Sequence, residues 1–301
     1  MKKKRTIHSS RKLIWRNRAI AYAFLLPNIV GFLLFTFIPV VMSLWLSLVS
    51  WNGFNEKTFV GLENFRTIWS DETFRISLKN TLLYSIMFVP SSLILSLAVS
   101  VALNNGIRGV KVFRTMYFLP YITATIACAA VWQLIFHPTM GPINNFLRAL
   151  GMSEPPSWLG SSKWALTSVT IVSVWKQMGY YIVIFLAGLQ GVPRDLYEAA
   201  DLDGANGWQK FINVTVPMLS PVIFFASIMA VINSFKIFDM VYSLTDGGPG
   251  RATNVLVYAI YTEAFRKYRF GSASAMAYVL FAIIMIVTLI QFRGQKKWVN
   301  Y

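Results

Sequence analysis

Lys176 is the one charged residue in the apolar stretch 164–189, and Trp175, Gln177, Tyr180 and Tyr181 flank it. A charge set into a membrane-length apolar run is a functional candidate by default, because an unpaired charge there is costly. Aromatic faces with amide and hydroxyl groups beside them suit a polyhydroxylated solute: rings meet its C–H surfaces and polar groups meet its hydroxyls. The alternative is structural, a lysine bonded to a backbone carbonyl or to an acid inside a helix bundle. Asn233, Lys236 and Asp239 form a second group near the end of another apolar stretch. Lys236 and Asp239 are three apart, so they could instead pair with each other. Other chemistry has little support. His8 and His137 share no metal-ligand spacing, and no Ser/His/Asp set is placed for nucleophilic catalysis. The dipeptide Gly-Lys, which a Walker A phosphate loop requires, never occurs. The "GGPG" at 247–250 follows no strand and opens no helix. Cys128 stands alone, which excludes an internal disulfide and suits a small packing residue. No catalytic residue and no metal site is assigned.

The elements that must position these residues are legible from composition. The 301-residue chain is 55% hydrophobic and only 13% charged, where a soluble domain carries about 25% charged residues. Windows 20–49, 80–103, 115–136, 211–235 and 270–292 contain no charge, and 164–189 contains only Lys176. Each is long enough for a helix crossing a hydrocarbon core of about 30 Å, and none shows the short alternation of a barrel strand. The pattern predicts an all-α integral membrane protein of six transmembrane helices at those windows. A basic tail (1–19) precedes one membrane domain (20–292), and a short tail (293–301) follows it. The first apolar run is about twice the length of a signal-peptide core and has no small-x-small cleavage site after it, so it is read as a retained helix.

The net charge of +16 is distributed as membrane topology requires, which argues against nucleic acid. Segments 1–19, 104–114, 190–210 and 293–301 hold 16 Lys and Arg; the longer segments 50–79, 137–163 and 236–269 hold 11. This positive-inside bias places both termini in the cytoplasm, with the basic tail lying on anionic lipid. Prolines at 27, 39, 90, 120, 217 and 221 mark expected kinks. The Ala-, Ser- and Gly-rich third, fifth and sixth spans are expected inside the bundle. Trp51, Trp69, Trp158 and Trp164 are expected near the outer boundary.

One inner segment differs. "DLYEAADLDGANGWQKFINVTVP" (195–217) carries four of the twelve acids against Lys210, with Arg194 just before it. Asp195 and Glu198 have the spacing of a capping box, acids near the start suit the helix dipole, and Gly204 is placed for a left-handed C-terminal cap. The reading is a short helix, a corner at "GANG", and a second helix leading into the fifth span. So short a helix is marginal in water and must dock on something; Ala199, Ala200 and Ala205 give it a small face. On these residues alone, an ordinary connector remains open.

The same residues resemble a known pattern. "EAADLDG", nine residues, Val214 and then Pro217 match the EAA loop of permease subunits of ATP-binding-cassette importers. Glu198, Ala199, Ala200, Asp203, Gly204 and Pro217 occupy the loop's positions, with Leu202 a minor departure before the Asp. The phrases "VGLENFRTIW", "KNTLLYS", "FRTMYFLP", "GPINNFLRALG", "WKQMGYYIVIFLAGLQGVP", "LTDGGPGRATNVLVYAIYTEAF" and "GSASAMAYVLF" resemble the carbohydrate-uptake branch, which serves oligosaccharides, polyols and glycerol-3-phosphate. The resemblance covers nearly all of residues 20–292. It implies the type I importer permease fold in a bacterial cytoplasmic membrane, with translocation of a sugar by alternating access. It also implies a second, homologous permease subunit, a cytoplasmic ATPase dimer that docks the EAA helix, and an extracytoplasmic solute-binding protein. It implies no cofactor on this chain, with ATP and Mg²⁺ on the ATPase. Lys176, Gln177, Tyr180, Tyr181, Asn233, Lys236 and Asp239 are the candidate pathway residues. A non-sugar solute, a self-sufficient secondary transporter and a membrane receptor or anchor are the competing readings.

Overall fold

The computed structural model describes residues 8–104, 109–296 and 298–299. Lys2, Lys3, Lys4 and Arg5 of the basic tail, with Arg108 and Lys297, lie outside the described residues. The first apolar stretch is one long helix. Helix α1 (His8–Phe32), a π-helical turn at Leu33–Phe37 and α2 (Ile38–Ser47) follow without a break. A short antiparallel pair, β1 (Val49–Ser50) and β2 (Thr58–Phe59), leads to α3 (Glu63–Ser70) and the long α4 (Glu72–Asn104). Then come α5 (Val110–Ile122), α6 (Thr125–Ile135), α7 (Pro142–Ala149), α8 (Ala165–Gln190), α9 (Arg194–Leu202) and α10 (Gly207–Lys210). A π-helical turn at Phe211–Thr215 joins α10 to α11 (Val216–Phe235), and α12 (Asp239–Thr245), α13 (Leu256–Tyr261) and α14 (Phe270–Gln295) complete the chain. Two of the π turns precede prolines, Pro39 and Pro217, by the first helical turn. Proline lacks an N–H and its ring crowds the carbonyl four residues back, and a wider turn relieves that clash.

Five helical stretches are long and apolar enough to span a bilayer: Leu13–Ser47, Glu72–Asn104, Ala165–Gln190, Gly207–Phe235 and Phe270–Gln295. The expected third span, 115–136, is not one helix. Helices α5 and α6 meet at a bend of 99°. Pro120 donates no N–H to the last turns of α5, and Thr123 and Ala124 then take extended backbone with ψ of 143° and 131°.

The bent pair still makes a crossing. Ser96 Oγ donates to the Met178 carbonyl (3.1 Å) and Ser100 Oγ to that of Ile182 (3.2 Å). Equal four-residue steps in the same sense mean that α4 and α8 run parallel. The chain between them must therefore return to the end at which α4 began, and α5–α6 are what carry it back. The three long connecting segments gather at that end. Arg251 bridges to Glu72 (2.8 Å), Asn80 Nδ2 donates to the Arg251 carbonyl (2.9 Å), and Phe270 N donates to the Trp51 carbonyl (3.1 Å).

The centre of the bundle is α8, more than the expected third, fifth and sixth spans. Tyr181, Ile182, Phe185, Val169 and Val172 are fully buried there. A small-residue seam runs along α4: Ser77, Thr81, Ser85, Ser92, Ser96 and Ser100, all buried, recur at four- and seven-residue steps, with Ser96 and Ser100 on α8, Ser85 on Ser234 of α11, and Ser77 and Thr81 on Asn254 and Leu256. Hydroxyls that bond backward to their own helix carbonyls leave little side-chain bulk, so two backbones approach closely. Small residues also serve α5 against α8, where Gly179 lies beneath the carbonyl of Tyr117. Cys128 is buried and unbonded as a small packing residue. Trp158 meets Trp164 edge to face and stacks on Phe136, from which the rings continue to Trp132 and Trp175. The body of the first helix stands clear of the rest: none of residues 13–30 is buried, and its last turns alone pack on α14, where Tyr278 Oη donates to the Val40 carbonyl.

Candidate functional site

The charged turn sits at the end opposite the three long segments, between α8 and α11. Helix α9 is the expected short helix, nine residues or about two and a half turns, but the Asp195–Glu198 capping box does not form. The helix begins two residues earlier than that box requires. Its N-cap is Pro193, without a side-chain cap bond, and Asp195 lies inside the first turn. Proline's preset φ starts the helix at Arg194, leaving Asp195 favourable to the dipole but unable to cap. The capping box is one helix later: Asn206 Oδ1 accepts from Gln209 N (2.9 Å) and Gln209 Oε1 accepts from Asn206 N (2.8 Å). The Asn206-x-x-Gln209 spacing is itself a capping-box signal in the sequence.

The C-terminal cap is as expected. Gly204 has φ +78°, Ala205 N donates to the Ala200 carbonyl (2.9 Å) and Gly204 N to that of Asp201 (3.0 Å). These are the two bonds of a Schellman motif. Lys210 Nζ pairs with Asp201 (2.6 Å) across the corner, and Tyr197 Oη bonds Thr215 Oγ1 (3.0 Å), tying α9 to the foot of α11. The outer side of the turn is left open. Leu202 is 91% exposed, Glu198 is exposed, and Ala199, Ala200, Asp203 and Gly204 border a shallow groove that Val214 closes. Pro217 lies half-buried at the first turn of α11, with its carbonyl accepting from Ser220 (2.6 Å).

Most of the candidate pathway residues converge. Lys176 and Gln177 from α8, Asn233 from α11, and Lys236 and Asp239 from the break after it line one open cavity of about 320 Å³, with Tyr121 and Thr125 from the bent pair. Lys236 and Asp239 do not pair with each other; no ion pair joins either among the described residues. Tyr180 is half-buried and stacks on Tyr121 (5.2 Å). Tyr181 is fully buried in the helix core and offers no face to the cavity.

Lys176 has the structural role left open above. Its Nζ donates to the carbonyls of Pro120 (3.2 Å), Tyr121 (3.2 Å) and Thr123 (2.7 Å). A helix that stops inside a bundle leaves its last carbonyls without partners and carries negative charge at that end. The lysine supplies both bonds and charge at the bend. Its three donors are thereby committed, which makes Lys236 the more available cation. Lys176→Met should therefore lower the melting temperature of the detergent-solubilised protein by a few degrees, from a loss of about 1–3 kcal/mol, and uptake should fall with it. An unchanged melting temperature would refute this role for Lys176.

At the mouth of the bundle, Arg266 donates to Asp246 (2.8 Å) and to Tyr258 Oη (3.0 Å), beneath the rings of Tyr242 and Tyr261. The Arg266 guanidinium holds the Asp246 carboxyl below the usual carboxylate range. This latch fixes the "LTDGGPG" turn, in which Asp246 itself is left-handed (φ +47°). Sequence reading missed it because its members lie twenty residues apart.

Comparison with known proteins bears on what this arrangement is. Residues 94–298 match the family described as binding-protein-dependent transport system inner membrane component. The chain is 38% identical to the probable ABC transporter permease protein YesP of Bacillus subtilis, across 100% of this chain and 96% of that protein. It is 33% identical to the sn-glycerol-3-phosphate transport system permease protein UgpA of Agrobacterium fabrum, across 96% and 99% of the two chains. Among solved structures it superposes with a TM-score of 0.82, at 22% identity and 95% and 99% coverage, on a chain of a bacterial ABC transporter involved in the import of the acidic polysaccharide alginate. That likeness concerns the fold.

Proposed function

The chain belongs to the family of binding-protein-dependent transport system inner membrane components, and from that premise we propose that it couples ATP hydrolysis on a partner chain to sugar import. It is a multi-pass, non-catalytic permease subunit of an ABC importer. In the proposed assembly it pairs with a second, homologous permease, each chain supplying one wall of the path. A cavity of about 320 Å³, open on one side, holds only part of an oligosaccharide, since ligand sites of drug size run from about 300 Å³ upward. ATP and Mg²⁺ are assigned to a cytoplasmic ATPase dimer. An extracytoplasmic binding protein delivers the solute at the end where the three long segments gather.

The observation that carries this reading is the exposed, internally braced turn at 194–210. Its Schellman cap, ion pair and Tyr197 bond hold a short helix as a rigid knob, with the shape of a part that fits a socket rather than a slack linker. Glu198, Ala199, Ala200, Asp203, Gly204 and Pro217 are its proposed coupling residues. Alternating access follows if closure of the ATPase dimer pushes this knob, because α9 is tied to α11 and α11 ends at Asn233 and Lys236 in the cavity. The relative UgpA is named for sn-glycerol-3-phosphate, and Lys236 on the cavity wall favours, as a second reading, a solute bearing phosphate or carboxylate.

Purification of the tagged chain from its native membrane is expected to bring down an ATPase and a second permease, with ATP hydrolysis that rises when the solute-loaded binding protein is added. Uptake by this chain alone in proteoliposomes, without an ATPase, would refute the proposal. Orientation is tested separately. In a Cys128→Ser background, Leu150→Cys and Gly250→Cys should react with an impermeant thiol reagent from outside, and Leu202→Cys only after the membrane is opened. The reverse pattern would invert the topology.

A further inference from the structure

Two adjoining cavities lie behind the charged turn, at the end of the bundle where α4 and α8 finish. The first, of about 530 Å³, has a mixed lining that holds the charged groups: Asn104, Gln190, Arg194, Tyr197 and Lys210 beside Leu189 and Val192. The second, of about 650 Å³, is a groove on the outside of the bundle lined by Ile94, Leu97, Ala98, Trp208 and Val216, without a charged residue. Val101, Gly207 and Phe211 border both, so the first cavity opens along its rim into the apolar one. Gly207 makes the passage: nothing lies within 4 Å of where its Cβ would be.

This pairing has the polarity of one amphipathic molecule, a charged head with an apolar tail. Among the described residues Arg194 is in no ion pair and in no side-chain hydrogen bond, and it is exposed toward the first cavity. Lys210, its neighbour on the wall, is already held by Asp201. The head is therefore an anion that one guanidinium can take with two parallel bonds, which phosphate geometry fits. Trp208, 70% exposed, flanks the groove as an indole does at a membrane–water boundary. From Ile94 to Val101 the groove follows about 10 Å of helix rise, running toward the bilayer interior as an acyl chain would.

We propose that this double cavity is a binding site for an anionic phospholipid, with its phosphate on Arg194 and one acyl chain in the groove between α4 and α10. The bound lipid braces the root of the charged turn from the membrane side, since Tyr197 and Lys210 belong both to the cavity wall and to the bonds that hold α9. The proposal stands apart from the solute carried and from the transport reading.

The test is native mass spectrometry of the intact purified complex after exchange into mixed micelles of phosphatidylglycerol and phosphatidylcholine. The wild-type complex should retain phosphatidylglycerol about fivefold over phosphatidylcholine, the preference one basic residue confers at roughly 1 kcal/mol. Arg194→Gln should abolish that preference, and Ala98→Trp, which fills the groove at an exposed position, should reduce retention of both lipids. Excess inorganic phosphate should not displace the lipid, since the tail contributes the larger part of the affinity. Equal retention of the two lipids by the wild type, an unchanged preference in Arg194→Gln, unchanged retention in Ala98→Trp, or displacement by inorganic phosphate would each overturn the proposal.

Discussion

Gly204→Val is expected to abolish stimulation of ATP hydrolysis by the loaded binding protein while leaving the chain inserted in the membrane. At φ +78° the residue is in the left-handed region, which costs an L-residue about 1–2 kcal/mol and a β-branched one at the upper end of that range. Nothing lies within 4 Å of the added Cβ, so the whole effect is backbone strain. That strain is relieved by rotating residues 203–205, which breaks the bonds from Ala205 N and Gly204 N to the last turn of α9. A helix of nine residues has little stability of its own; without this cap it depends on Lys210–Asp201 and Tyr197–Thr215 alone. Glu198, Ala199 and Ala200 then lose their fixed positions. No apolar span is touched, so insertion persists. Gly204→Asn is the control, because asparagine tolerates the left-handed region, and it should keep most of the stimulation. Normal stimulated hydrolysis and normal retention of the ATPase in Gly204→Val would mean that the turn is only a connector, and the proposed coupling mechanism would fall.

Gly179→Ala should have a larger effect on folding, although it adds a single methyl group. Its Cβ would lie 2.1 Å from the carbonyl oxygen of Tyr117 and 2.9 Å from Cα of Phe118. Backbone atoms cannot rotate away as a side chain can, so α5 and α8 must part by about an ångström. Overpacking of this kind costs about 1–3 kcal/mol, occasionally more, and here the contact adjoins the Lys176 bonds at Pro120, Tyr121 and Thr123. Separation of the helices would stretch all three. The variant is expected to accumulate at a small fraction of the wild-type level and to melt well below it in detergent. Gly188→Ala is the comparison. Its Cβ would meet Cγ2, Cγ1 and Cβ of Val222 at 2.9, 3.2 and 3.3 Å, a lesser overlap than 2.1 Å against backbone and one made with side-chain atoms, so its loss should be smaller. Equal stability of the two variants would show that the α5–α8 approach is not the constraint described.

The features legible in the sequence are those whose cause lies within a few residues or in composition. Apolar runs of membrane length report spans because the bilayer acts on each helix separately, and five of the six windows are continuous helices. The corner at Gly204 was legible because a left-handed position selects glycine regardless of the rest of the fold. The capping assignment failed for a related reason. Several local signals compete within a few residues, and Pro193 with Asn206–Gln209 prevailed over Asp195–Glu198. The break in the third crossing was announced by Pro120, but a proline alone does not say whether a helix kinks slightly or stops.

Only the tertiary structure decided what the polar residues do. Lys176 could have faced a solute or a carbonyl, and more than fifty residues separate it from the three oxygens it holds. Lys236 and Asp239 have the spacing of a helical pair, yet the helix ends at Phe235 and α12 begins at Asp239, so the geometry that would pair them is absent. Tyr180 and Tyr181 look alike in sequence, and one is half-buried against Tyr121 while the other is fully buried. Hydropathy and backbone preference are short-range properties that a chain carries along its length. Which donor meets which acceptor depends on how the helices cross, and that is set by packing among residues far apart, such as the serine face of α4 against α8.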